Sequence, residues 1–440
     1  MADERLEPTG RSAEDGYPPD LARFVLDRWP ASRAAAARGD APELATLKHF
    51  LSACYQASLL REEERPVTFR AILAAPDQFS PGGIAPSGLR RLAFCDSLPL
   101  EASQLRRLSV AADTRRTLIG VHPDGDGVLR IWGLVNSGPR WLRNVQGGRR
   151  AGAPLPPAPV AHVEAPGVLT AYRGQELVAR LQAGRITGSR ADPFESSWLP
   201  ARFADFREEL LARHARAREA SAAAWAPLAP HLAHEISERM MKRTIALLRD
   251  ARHGGTIVFV PMETAGDLCT ADPFVDLKYG FEDTPRQGSF PDLVVSILNR
   301  LAAIHGAGPR PNESVGWREF ETTSDDELAT LDEALFEIAH FIAGLASADG
   351  AVVLNKQHDI LGFGGMISGR LPAVRTVARA LDLEADTVTD EGTENVGARH
   401  RSAYRLAGAL PGAVIIVISQ DGGVRFVAQR NGRVTYWEQE

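Results

Sequence analysis

Two unbroken runs, the β-branched Thr256-Ile257-Val258-Phe259-Val260 and the fully apolar Ala413-Val414-Ile415-Ile416-Val417-Ile418, constrain this chain more than any other feature. A strand with one face in water alternates apolar and polar residues. A continuous β-branched run therefore suits a central strand buried on both faces, with helices covering the sheet. The surrounding sequence supplies such helices. One is expected over His231–Asp250, ending before His253-Gly254-Gly255, and others over Asp292–Ala303, Leu371–Leu381 and Arg399–Leu410. A longer helix is expected over Asp325–Ala346, with Leu328, Leu331, Leu335, Ile338, Phe341, Ile342 and Leu345 on one face. Ala351–Leu354 reads as a strand with Ile360–Gly364 as its hairpin partner, and Val424–Ala428 and Arg433–Trp437 flank the hairpin turn Asn431-Gly432. Residues 262–290 read as loop.

The first half has a different texture. Leu21–Leu60 is helical in pattern, with Leu44, Leu47, Phe50, Leu51 and Cys54 forming a stripe. Strands are expected at Val67–Leu73, Leu92–Phe94 and Gly167–Tyr172, and a hairpin at Thr117–Val121 and Val128–Trp132 around Asp124-Gly125-Asp126-Gly127. Gly147–Pro159 reads as loop, and Trp132 and Trp141 as core packing. The expected fold class is mixed α+β: a larger C-terminal domain with a helix-flanked central mixed sheet, preceded by a smaller α+β domain. The expected boundaries are a flexible tail at 1–20, an N-terminal domain at 21–200, a connecting helix at 201–229 and a C-terminal domain at 230–440. Its 440 residues suit that count at about 100–200 residues per domain.

Composition removes several functions. With 50 Lys and Arg against 56 Asp and Glu, net charge is −6, which argues against a broad electrostatic grip on nucleic acid. No apolar run approaches the roughly 18–20 residues needed to cross a bilayer, and the polar start Met1-Ala2-Asp3-Glu4-Arg5 has no apolar signal core. The three cysteines, Cys54, Cys95 and Cys269, have no metal-ligand spacing, so a cytoplasmic protein with reduced thiols is expected. His231-x-x-His234-Glu235 has no third metal ligand in evidence and reads as surface or cap residues, and His358-Asp359 as an exposed hairpin tip.

Two segments carry candidate chemistry. Asp349-Gly350-Ala351 joins a long helix to a strand, where a carboxylate followed by glycine can reach a ligand while the backbone comes close. Gly397-Ala398-Arg399-His400-Arg401-Ser402 opens a helix. Free backbone N–H groups already favour anions there, and arginine forks match phosphate oxygens. Basic residues at that end are unfavourable without an anion. The competing account is a solvated basic turn paired with Asp390-Glu391.

In this order, followed by Ala413–Ser419 and the terminal hairpin, the two segments resemble the diadenylate cyclase (DAC, DisA-N) domain family, over roughly residues 230–440. That family joins two ATP molecules into cyclic di-AMP. The resemblance implies that Asp349 binds Mn²⁺ or Mg²⁺ and helps activate a 3′-hydroxyl, and that Arg399, His400 and Arg401 hold phosphates. It also implies nucleotide contacts at Gly350, Ala351, Gly397, Ser402 and Ser419. Each domain then holds one ATP, so a homodimer or higher oligomer forms through face-to-face cyclase domains. The chain before it resembles the N-terminal sensor regions, labelled DACNV, that accompany some bacterial cyclase domains.

Departures from the family pattern leave alternatives. Ala398 stands where the family usually has Thr, and Ser419-Gln420-Asp421 has an amide where many members have a carboxylate, so Asp421 would have to serve the metal. The segment 368–396 is longer than in compact relatives. The alternatives are a weak or inactive member that binds ATP or cyclic di-AMP as a sensor, and an assembly scaffold.

Overall fold

The computed structural model describes residues 16–29, 41–83, 88–138, 141, 154–188, 192–265, 274–281, 289–308 and 312–439. Residues 1–15 of the expected tail, residues 147–153 of the expected loop, and Cys269 lie outside them. Contacts divide the chain into two units, residues 1–142 with 150–189, and residues 143–149 with 190–440. Both are mixed α+β. Among the described residues no helix is long and apolar enough to cross a membrane.

The first unit begins with α1 (Pro18–Asp27) and α2 (Leu44–Ser58), then the two-residue strands β1 (Arg61–Glu62) and β2 (Arg65–Pro66). Next come β3 (Phe69–Leu73), β4 (Arg90–Pro99), α3 (Ala102–Ser109), β5 (Thr117–Pro123) and β6 (Leu129–Asn136). The unit ends with β7 (Pro159–Ala165), β8 (Val168–Arg173), β9 (Glu176–Gln182) and β10 (Arg185–Gly188). Eight strands form one sheet in the order β10-β9-β8-β7-β3-β5-β6-β4. The α2 stripe of Leu47, Phe50, Leu51 and Cys54 packs with Phe69, Ile119 and Leu169 from the sheet. The Asp124 carboxylate accepts from the amides of Asp126 and Val128, which fixes the β5–β6 turn. Trp132 is buried and donates Nε1–H to the Ala74 carbonyl at 2.9 Å, and Trp141 packs edge-on to Tyr172 with the Arg70 guanidinium 4.0 Å from its ring. Both tryptophans are packing residues, as their sequence setting suggested.

The second unit contains α4 (Trp198–Ala201), α5 (Ala204–Ala220), α6 (Leu232–Ala251), β11 (Gly255–Val260), α7 (Met262–Ala265) and β12 (Val275–Gly280). It continues with α8 (Phe290–Gly306), α9 (Trp317–Thr322), α10 (Asp326–Ala346), β13 (Ala351–Asn355), β14 (Ile360–Ile367), β15 (Thr376–Ala380) and β16 (Val388–Gly392). It ends with α11 (Ala398–Ala409), β17 (Val414–Ile418), β18 (Val424–Arg430) and β19 (Arg433–Gln439). Nine strands form a mixed sheet, β12-β14-β13-β11-β17-β18-β19-β15-β16, and the two apolar runs lie side by side near its centre as β11 and β17. Alternate side chains serve opposite layers. Ile257, Phe259, Val352, Leu354 and Ile416 pack with Ile236, Leu298 and Leu335 of the helices, whereas Val258, Val260, Val353, Ile415 and Val417 pack with Ala403 and Leu406 of α11.

Three expectations are corrected. Leu371–Leu381 is not a helix: Thr376–Ala380 is strand β15, because β19 offers it parallel pairing (Ala378↔Thr435) and β16 antiparallel pairing. A local pattern thus yields to a tertiary sheet edge. Residues 262–290 hold the edge strand β12, paired with β14, as well as loop. Helix α5, expected as a connector, buries Phe206 and Leu210 in the core of the second unit and bonds α8 through Arg213–Asp292 at 3.1 Å.

On α10 the buried stripe includes Leu328, Leu335 and Ile342 but not Phe341, which is 56% exposed. The stripe instead includes Asp332, 2% exposed, whose Oδ2 lies 3.1 Å from Nη2 of the fully buried Arg243 on α6. Arg243 also donates to the Asp332 carbonyl, and Arg239 approaches the same carboxylate at 3.5 Å. Asp332→Ala strands the Arg243 charge. We expect it to destabilise the second unit by about 3 kcal/mol, read as a lower urea midpoint, with Asp332→Ala/Arg243→Met restoring much of the loss.

Candidate active site

Strand direction brings remote segments to one end of the sheet. β11 and β13 are parallel (Ile257↔Val352), so the residues entering both strands, His253-Gly254 and Asp349-Gly350, lie at the same end. β17 runs antiparallel to β11 with Gly255 opposite Ile418, so it delivers Ser419-Gln420-Asp421 there too. The N-terminus of α11 meets this edge: Arg399 Nη1 donates to the His253 carbonyl at 3.4 Å. Gly254 makes the approach possible. Its φ is +67°, and a Cβ there would stand 2.5 Å from Arg399 Nη1 and 2.8 Å from the Ile418 carbonyl oxygen.

The basic segment keeps its charge largely uncompensated. Gly397 is the residue before α11 and Ala398 its first residue. Arg399 and His400 are half-buried, Arg401 is exposed, and Ser402 is half-buried. The Arg401 guanidinium donates to the Val396 carbonyl. Burial, then the Arg425 and Arg399 charges, push the His400 imidazole down to about 4 against the opposing pull of Asp421. His400 is therefore neutral at pH 7. Among the described residues neither Arg399 nor Arg401 forms an ion pair. The expected partners are engaged elsewhere: Asp390 with Arg433, and Glu391 with Arg379 and the Tyr436 hydroxyl. Pairing of this turn with Asp390-Glu391 is thereby corrected.

The residues after β17 form a tight turn. Ser419 N–H donates to the Gly423 carbonyl at 2.9 Å, the Ser419 hydroxyl donates to Asp421 Oδ1, and Gly423 N–H donates to the same oxygen at 3.3 Å. The Ser419 bond, followed by the Gly423 amide, holds the Asp421 carboxyl below its ordinary range. Asp421 thus spends one carboxylate oxygen on its own turn.

Asp349 is exposed, and among the described residues its carboxylate has no hydrogen-bond or ion-pair partner. Gly350 beside it has φ +107°, and a Cβ there would lie 2.6 Å from the Gly364 carbonyl carbon of β14. Gly350→Ala is expected to lower the stability of the second unit by about 2 kcal/mol through backbone strain, visible as a lower urea midpoint. Ala351 is buried as the first residue of β13. Asp349 and the basic turn share this end of the sheet, and among the described residues no hydrogen bond or ion pair joins them. With β11 between them, the strands that carry Asp349 and Ser419 stand about two strand spacings apart, roughly 10 Å.

Among the described residues no group of three or more His, Cys, Asp or Glu is arranged to hold a metal ion. His231 precedes α6, and His234 lies 3.7 Å from Glu238. A lone exposed carboxylate is no resident metal cage.

The expectation for His358 is overturned. Asn355 Oδ1 accepts from the amides of Gln357 and Asp359, and the Asn355 carbonyl accepts from His358 N–H. This turn sets His358 at φ +66° and directs its ring inward, leaving it 8% exposed. The covering groups, Phe203 with Phe206, Phe259 and Phe290, come from three remote stretches of chain, so nothing near position 358 announces the burial.

Comparison with known proteins gives one match. The family described as "Probable sensor domain DACNV" matches residues 36–136, which lie in the first unit and end with β6. Strands β7 to β10 continue the same sheet beyond the matched segment. No curated protein and no solved structure matches the chain. The chain therefore carries an N-terminal segment similar to a sensor family, joined to a second α+β unit.

Proposed function

We propose that this chain is a diadenylate cyclase, in which the second unit condenses two ATP into cyclic di-AMP and the sensor-like first unit tunes its output. The observation that carries this reading is the shared end of the sheet, with two arginines on one side and Asp349 on the other that have no ion-pair partner among the described residues. A triphosphate with its ribose is long enough to bridge the two. Arg399 and Arg401 bind phosphate oxygens at the α11 N-terminus, where backbone N–H groups add to the attraction. Neutral His400 supplies a directional hydrogen bond there. Gly397, Ser402 and Ser419 line the same end, and Gly350 and Ala351 let the backbone approach the nucleotide.

In the reaction a 3′-hydroxyl oxygen bonds to the α-phosphorus of the other ATP, the bond to pyrophosphate breaks, and Asp349 accepts the hydroxyl proton. Two such steps release two pyrophosphates. Asp349 would hold Mn²⁺ or Mg²⁺, which would supply charge neutralisation. One chain presents one nucleotide, so two second units must face each other in a homodimer or larger assembly. Incubation with labelled ATP and Mn²⁺, resolved by chromatography, is expected to yield cyclic di-AMP.

A second reading, nucleotide binding without turnover, is favoured by Ala398, Gln420 and the commitment of Asp421 to its own turn. Tight calorimetric binding of ATP or cyclic di-AMP with no product under either metal decides for it.

A further inference from the structure

A second recess lies on the other layer of the sheet in the second unit. A cavity of about 60 Å³, open on one side, is walled by Phe203, Phe206, Leu210, Met241, Phe259 and His358. The half-buried Arg207, His234 and Glu238 also border it. It is separate from the edge described above. Phe259 pairs with Val414, four residues along β11 from the Gly255–Ile418 pair, or about 13 Å at strand rise.

His358 is the anomaly in this wall. It is 8% exposed, its Nδ1 is buried without a hydrogen-bond partner among the described residues, and phenylalanine rings lie 4.7–5.4 Å away, centroid to centroid. Its backbone occupies the left-handed region, which costs a non-glycine residue strain. A residue that combines an orphaned polar atom with backbone strain is poor as packing alone, because phenylalanine would fill the same space without the orphan.

We infer that this cavity binds a small uncharged aromatic molecule bearing a hydroxyl, its ring among the phenylalanines and its hydroxyl hydrogen-bonded to the His358 imidazole. Aromatic walls on several sides favour edge and offset contacts with a ring. A hydroxyl both donates and accepts, so it satisfies the imidazole in either neutral tautomer. Burial pushes His358 down to about 3, so the imidazole offers hydrogen bonding and no charge for an anion. The enclosed space of about 60 Å³ is smaller than the roughly 150 Å³ that admits benzene to an all-apolar core, so only the hydroxyl-bearing edge of the ring is enclosed and the rest of it occupies the open side. Ordered water is the competing occupant; it needs two to four polar partners, which besides His358 would be Arg207, His234 and Glu238 at the border, and failure of both probes below to bind is its outcome in the test.

The test uses the full chain and ¹⁹F NMR with two probes, 4-fluorophenol and fluorobenzene. The inference expects a shifted, broadened 4-fluorophenol signal that unlabelled phenol reverses, and fluorobenzene affinity at least tenfold weaker. His358→Phe keeps the ring volume and should cost 4-fluorophenol at least tenfold while leaving fluorobenzene within twofold. Ala233 also lines the cavity, and Ala233→Leu, which fills it, should abolish both, with folding of each variant checked by its thermal transition. The inference is overturned if neither probe binds, if fluorobenzene binds as well as 4-fluorophenol, or if folded His358→Phe retains 4-fluorophenol affinity. These outcomes are independent of cyclase activity.

Discussion

Asp349→Asn and Arg401→Ala are each expected to cut cyclic di-AMP formation from ATP and Mn²⁺ by at least 100-fold while leaving the second unit folded. Both side chains are exposed and neither forms an ion pair with the described residues, so their loss removes charge from the sheet edge without leaving an orphan in the core. Asparagine keeps the shape of Asp349 but can neither accept the 3′-hydroxyl proton nor hold a cation well. Removing one preorganised charge or donor from a transition state typically costs roughly 10²–10³ in rate. The two variants should differ in binding. Arg401→Ala weakens calorimetric ATP affinity, and Asp349→Asn lowers turnover more than affinity. His400→Gln should cost less than either, because the half-buried imidazole is already uncharged at pH 7. If the wild-type chain binds ATP tightly and neither variant changes the product trace from baseline, the nucleotide-sensor reading replaces the enzyme.

The sheet core was legible because its signal is local. Ile257–Val260 and Ala413–Ile418 have no polar residue for a solvent face, and they pair as neighbouring central strands. The Asn431-Gly432 hairpin was equally plain, since Asn431 and Gly432 both take positive φ. What failed depended on partners distant in sequence. Thr376–Ala380 became a strand because β19 offered an edge. Phe341 faces outward because Arg243, on another helix, holds Asp332 in the buried stripe. For the candidate site, Asp349 and Arg399–Arg401 were visible as residue types. The role of Gly254 was not, because its cause is a guanidinium from a helix more than a hundred residues later.

Second-unit stability should fall as pH drops from about 6.5 toward 3, and His358→Phe should remove a defined part of that fall. In the unfolded chain this imidazole takes up a proton near 6.5, whereas in the fold burial delays protonation to about 3. Its contribution is therefore fully present above 6.5, lost progressively below it, and exhausted near pH 3. At about 1.4 kcal/mol for each tenfold in proton affinity, the whole excursion is worth up to roughly 5 kcal/mol, of which roughly 3 falls between pH 7.5 and pH 4. The groups nearest the cavity, Arg207, His234 and Glu238, stay in the variant. Burial also holds His214 and His234 below their ordinary range, and these too act in both proteins. The difference between the two urea-unfolding series, taken on the transition that the substitution displaces, isolates position 358. A gap that widens by roughly 3 kcal/mol on acidification is the expected result. Parallel curves would mean that the folded imidazole protonates as readily as the unfolded one, which is incompatible with a buried imidazole among phenylalanine rings whose Nδ1 has no partner among the described residues.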